Sequence, residues 1–265
     1  STLDRSIQPA YGDSPDVKLP SVWKNKLTSG LNLIGIENHE VPLVQFLLQI
    51  KGGMLLENTT KIGVSNMLAE LMTKGTKNKT PEQLENAIES LGATIKAYST
   101  DEGIFISGNS LAKNYKATIA LVEEIILQPR WDLKEFDLIK QSTLSQIQQQ
   151  KADPNSIARN EFKKLIYGKE SILSYNRTGD ENSVKSIAID DLKKYYNSNF
   201  SPSVSIFQIV GAVSKNEVTS SLATLNIKWT SKKVIFPAIK VNSTVATSII
   251  YFYDVPGARQ PVIRI

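Results

Sequence analysis

The stretch from Gly63 to Thr76 constrains the fold more than any other part of this chain. Val64, Met67, Leu68, Leu71 and Met72 recur at the i, i+3, i+4, i+7 spacing of a helix that buries one face. Gly75 is a natural stop, and Lys74 in the last turn suits the negative end of the helix dipole. Such a helix cannot hide its apolar stripe alone. It needs a second layer to pack on.

The flanking segments supply that layer. Leu31 to Glu37 and Val41 to Lys51 are rich in Leu, Ile and Val and read as paired strands, joined by a turn at Asn38, His39 and Glu40. Gly52-Gly53 and Glu57 to Thr60 form a loop into the helix. Thr80 with Gln83 makes a capping box around Pro81, and Leu84, Ala87, Ile88 and Leu91 face the core of the helix it opens. A hairpin is expected over Ala93 to Ser99 and Gly103 to Asn109. Helices follow over Ala112 to Leu127, Leu133 to Lys151, a stretch through Ile157 to Ile166, and Ile189 to Asn197. Val204 to Val210 reads as a strong strand, and Ser214 with Glu217 caps a further helix through Leu222. This order predicts an α+β fold: a mainly antiparallel sheet with helices packed on one face.

Composition narrows the chemistry. The 265 residues include no cysteine and one histidine. Disulfides, thiolate zinc sites and cysteine nucleophiles are therefore excluded. A catalytic zinc site usually takes two or three nitrogen ligands, more than His39 can provide. His39 itself reads as an exposed turn residue. The net charge is +5, but the lysines are scattered along the sequence, which points away from a nucleic-acid or anionic-membrane role. No apolar run approaches the ~20 residues of a membrane-spanning helix.

The central stretch also resembles a known motif. It is similar to the active-site helix of the pitrilysin/insulinase family of zinc peptidases, whose form is near G-[IV]-[AS]-H-x-L-E-H-x-x-x-K-G-T. Gly63, Val64, Ser65, Leu68, Lys74, Gly75 and Thr76 match that frame. Leu27-x-x-Gly30-Leu31, the Glu37-Asn38-His39-Glu40-x-Pro42 turn and Asp254-x-Pro256-Gly257-Ala258 match further blocks in order. Together these blocks span about residues 28 to 265. The resemblance implies a metallopeptidase-half domain of the same α+β class.

The chemistry of the motif is absent. In that family two histidines and a glutamate base lie on one helical turn, and a glutamate on a later helix completes the zinc site. Here the first histidine position holds Asn66, the base position Ala69 and the second histidine position Glu70. The matching run for the last ligand is Leu144-Ser145-Gln146-Ile147, with Gln146 76 positions after Glu70. Ile139 stands where the family often has another glutamate. Asn66, Glu70 and Gln146 are read either as a hydrogen-bonded polar cluster filling a vacated metal site or as a polar surface meeting solvent. No catalytic, metal-binding or cofactor-binding residue is assigned.

The resemblance implies a non-catalytic domain that encloses peptide substrate beside a catalytic H-x-x-E-H half, fused or separate, in which zinc is expected. The alternative is a scaffold or assembly subunit without a role in proteolysis, like core subunits of respiratory complexes. An active peptidase with unusual ligands is disfavoured by the single histidine. The chain reads as part of a longer polypeptide. Residues 1–27 form an irregular connector or a floppy arm, and 28–225 the peptidase-like domain. Residues 226–243 read as a linker, and 244–265 as the opening strand of a second similar domain. Family resemblance points to the periplasm.

Overall fold

Alternating burial along the strands builds a sheet with one covered face. The computed structural model describes residues 12, 19–168, 170–238, 249–255 and 260–264. In β3 (Leu43–Lys51), Val44, Phe46, Leu48 and Ile50 are buried while Gln45 and Gln49 point the other way. The same period of two runs through β1 (Val22–Lys26), β2 (Asn32–Glu37), β4 (Thr94–Ser99), β5 (Gly103–Leu111) and β6 (Ser205–Gly211). The six strands lie in the order β1-β2-β6-β3-β5-β4. Every neighbouring pair is antiparallel except β2 with β6.

Helices supply the second layer: α1 (Val64–Met72), α2 (Pro81–Ser90), α3 (Tyr115–Leu127), α4 (Leu133–Lys151), α5 (Pro154–Tyr167), α6 (Glu181–Ser186), α7 (Ile189–Asn199), α8 (Lys215–Ser221) and α9 (Ala223–Lys228). One buried cluster joins Leu33, Phe46, Leu48, Ile106 and Phe207 of the sheet to Met67 and Leu68 of α1 and Ile119 of α3. Burying each such side chain contributes about 1.5 to 3 kcal/mol. Both expected capping boxes form, at Thr80 with Gln83 and at Ser214 with Glu217.

The fold class agrees with the sequence reading, but four local expectations do not. First, β2 and β3 do not pair as a hairpin, because β6 lies between them. The link between them has only to cross two strand spacings, about 10 Å, which a few extended residues can do. Gly211, at φ 142, lets the end of β6 enter that gap, since a Cβ there would collide with the Leu43 carbonyl. Second, the segment read as irregular before Leu27 contains β1. Trp23 lies over Gly35 of β2, where no Cβ obstructs it. Third, α1 ends at Met72, with Thr73 as its C-cap, ahead of Gly75. Fourth, the segment from Asn226 begins inside α9, and the buried Trp229 with the Lys232–Ser201 hydrogen bonds ties it to the domain. The strand expected within 244–265 lies partly outside the described residues, and 249–255 carry neither helix nor strand.

Candidate functional site

Helix α1 sits at the centre of the helical layer, packed against β4, α4 and α7. Its N-cap, Gly63, has no side chain to accept from the free amides of the first turn. Glu57, in the preceding loop, does this instead. The Gly63 and Ser65 amides donate to its two carboxylate oxygens, at 2.8 Å and 2.5 Å. The Ser65 hydroxyl is in turn 2.8 Å from that of Ser99 on β4. Glu57 as a residue keeps some surface, but its carboxyl lies inside. Desolvation pushes its pKa up to about 7, against the opposing bonds from Ser65 and Gly63, and the nearby Asp101 adds to the rise. The buried Tyr195 of α7 closes this end by donating to the Gly53 carbonyl at 2.8 Å, and burial pushes its phenol well above the usual range.

The outer side of the same helix is different. Asn66 is half-buried and Glu70 exposed, one helical turn apart on one face. Ala69 is buried at 1 % exposure. Glu70 reaches solvent, yet protein packed around it raises its carboxyl, with Lys74 opposing. Gln146 is exposed on α4, which packs against α1. Helix packing therefore brings the elements that carry Asn66, Glu70 and Gln146 together. Among the described residues, however, no hydrogen bond joins these three side chains. Ile139 is core, at 3 % exposure. His39 is an exposed turn residue 2.8 Å from Glu37.

This arrangement does not fit the zinc site that the sequence frame implies. Asn66 and Gln146 offer neutral amides, Ala69 no base, and Glu70 a single carboxylate. Among the described residues no group of three or more His, Cys, Asp or Glu is placed to hold a metal ion.

The sequence reading missed two sets of contacts. The Glu57 cradle was legible only as an acid upstream of a helix whose cap is glycine. The glutamines of α4, read as a solvated face, are partly tied down: Gln148 donates to Glu181 of α6, and Gln150 accepts from Asn176. Lys151 and Lys185 also converge on Glu181 and hold its carboxyl down to about 2.

Comparison with known proteins bears on this site. The family model described as insulinase (peptidase family M16) matches residues 33–173. A curated relative, the non-peptidase homolog YmxG of Helicobacter pylori, is 21% identical over 160 residues, covering 60% of this chain and 37% of that protein. The crystal structure of a peptidase M16 inactive domain from Pseudomonas fluorescens superposes with a TM-score of 0.76 at 19% identity, covering 81% of this chain and 52% of that one. The periplasmic protease PqqL from Escherichia coli superposes with a TM-score of 0.74 at 17% identity, covering 83% of this chain and 25% of that one. At such identities the superpositions establish a shared fold. The chain spans about half or less of the length of the curated relatives it matches.

Proposed function

The chain belongs to the insulinase family of peptidases, M16, and from that premise we propose that it is a non-catalytic domain of a zinc metallopeptidase assembly. In this reading it encloses peptide substrate beside a catalytic half that carries the H-x-x-E-H motif and the zinc. It breaks no bond itself. The observation that carries the reading is the set of side chains at the motif positions. Asn66, Ala69, Glu70 and Gln146 supply neither a nitrogen ligand nor a base, while Gly63, Ser65 and Glu57 keep the helix end in place.

The M16 frame keeps a packed helix, and the side chains that would act on a metal-bound water are gone. That combination is what a chamber wall retains. The domain proper runs through α9 and the buried Trp229 to about Lys232, and residues 244–265 are proposed to open a second similar domain. The compartment proposed is the periplasm, in keeping with the PqqL likeness.

The test is zinc stoichiometry of the purified chain after metal equilibration and removal of loosely held ion, alongside hydrolysis of extended peptides. Zinc near zero with no cleavage supports the reading. One tightly held ion per chain, or cleavage by the isolated chain, overturns it.

A further inference from the structure

We propose that the cleft beyond the C-terminal end of α1 binds the last residue of a peptide, an aromatic side chain next to a free carboxylate. The cleft has a volume of about 530 Å³, within the range of sites that hold small ligands. Its walls come from the turn at Lys77 and Asn78, the end of α3 with the segment after it, and Tyr196 of α7. None of Asn66, Glu70 and Gln146 lines it.

The walls are set before any ligand arrives. Thr76 bridges to Lys79 and to Pro129, and its hydroxyl donates to Glu124 of α3 at 2.5 Å. Gly75, at φ 97, lies so close to the Lys79 carbonyl that a Cβ would collide with it. Tyr196 donates to the Ile126 carbonyl at 2.6 Å and meets Trp131 edge-on, with 5.5 Å between ring centres. Trp131 has φ 56, and among the described residues no other non-glycine residue has a positive φ. A bulky residue rarely takes that conformation, and such strain is retained where it positions a group that binds. A preformed wall spares the ligand an ordering cost.

The lining specifies three features of the ligand. Trp131 and Tyr196, with Leu127 and Pro129, make an aromatic and apolar surface that suits a flat ring. The Asn78 side chain donates to that of Gln128 at 2.9 Å. This single bond leaves the Asn78 oxygen and the Gln128 amino group without a partner among the described residues, one acceptor and one donor. A peptide group offers the complement, one N–H and one C=O. Lys77 is exposed and unpaired among the described residues, while the neighbouring acids are already matched, Glu124 with Lys79 and Asp132 with Arg130. The unmatched charge on the walls is therefore positive, and a carboxylate complements it. Ring, peptide group and carboxylate lie closest together in the final residue of a chain. The inference rests on this cleft alone and stands whether or not the chain serves a peptidase.

The test follows binding of N-terminally labelled hexapeptides to the whole chain by fluorescence anisotropy. One ends in phenylalanine with a free carboxylate, one in phenylalanine amide and one in serine. The free acid should bind about fivefold tighter than the amide, the upper size of an exposed ion pair, and high salt should shrink the gap. The serine peptide should lose most of the affinity. Lys77→Glu should invert the preference between acid and amide. Trp131→Gly, which removes the ring and accepts the backbone angle, should abolish binding, and circular dichroism checks that each variant keeps its fold. Equal affinity for acid and amide, an unchanged preference in Lys77→Glu, or no binding at all overturns the proposal. So does displacement of the peptide by an equal concentration of phenylacetate, which would assign the cleft to a small aromatic acid.

Discussion

The two sides of α1 were treated differently. At its N-terminal end, Glu57, Gly63, Ser65 and Ser99 form a buried chain of hydrogen bonds, and Tyr195 seals it. On the other side, half-buried Asn66 and exposed Glu70 lie one turn apart, and among the described residues neither shares a hydrogen bond with the other or with exposed Gln146 of α4. The inner end holds a helix that packs against β4, α4 and α7. The outer side occupies the positions where the family's chemistry would sit. The first meets a structural demand, the capping of α1, and among the described residues no hydrogen bond joins the side chains of the second to one another.

The sharpest way to break this comparison is Glu57→Ala. It leaves the Gly63 and Ser65 amides without their acceptor, and each buried unsatisfied group costs about 1 to 3 kcal/mol. Urea unfolding should show a loss of about 3 kcal/mol. A loss below about 0.5 kcal/mol would mean that the cradle does not hold the helix.

The next effect is on pH dependence. Glu57 moves from 4.5 to about 7 on folding, so the folded state holds this proton more tightly than the unfolded chain. Its favourable contribution is complete below pH 4.5 and is lost as pH rises to about 7, by at most about 3 kcal/mol. Glu57→Gln cannot titrate and should flatten the stability profile between those limits. An unchanged profile would place the titration elsewhere.

On the outer side, Asn66→His with Glu70→His and Gln146→Glu restores the ligand types to a retained frame. Equilibrium dialysis should then show about one zinc per chain. Hydrolysis should stay absent, because position 69 still holds alanine. No uptake by this variant would show that α1 and α4 no longer stand at ligand spacing. The smallest effect is expected for Asn66→Ala and Glu70→Ala, within about 0.5 kcal/mol of the parent in unfolding experiments. A cost above about 1 kcal/mol would reveal a structural role for the outer side.

Much of this was legible before any fold was known. Helix periods, capping boxes and strand alternation depend on residues a few positions apart, so Thr80 with Gln83 and Val44 to Ile50 could be read directly. The emptied motif was equally plain, since Asn66, Ala69 and Glu70 lie on one turn. The hairpin between β2 and β3 was misread because chain proximity is only a guide to strand pairing. β1 was missed because prolines precede it and its five residues, Val22 to Lys26, are mostly polar, although it pairs with β2 across a short local turn.

The sequence by itself determined most element types, the α+β class and the residues Asn66, Ala69 and Glu70 at the motif positions, all consequences of short-range pattern and side-chain chemistry. Only the tertiary structure decided that β6 enters between β2 and β3 and that Glu57 takes over the capping of α1. The strand order is set by register between segments far apart along the chain, whereas the Glu57 cap spans only six to eight residues but follows no helix or strand period.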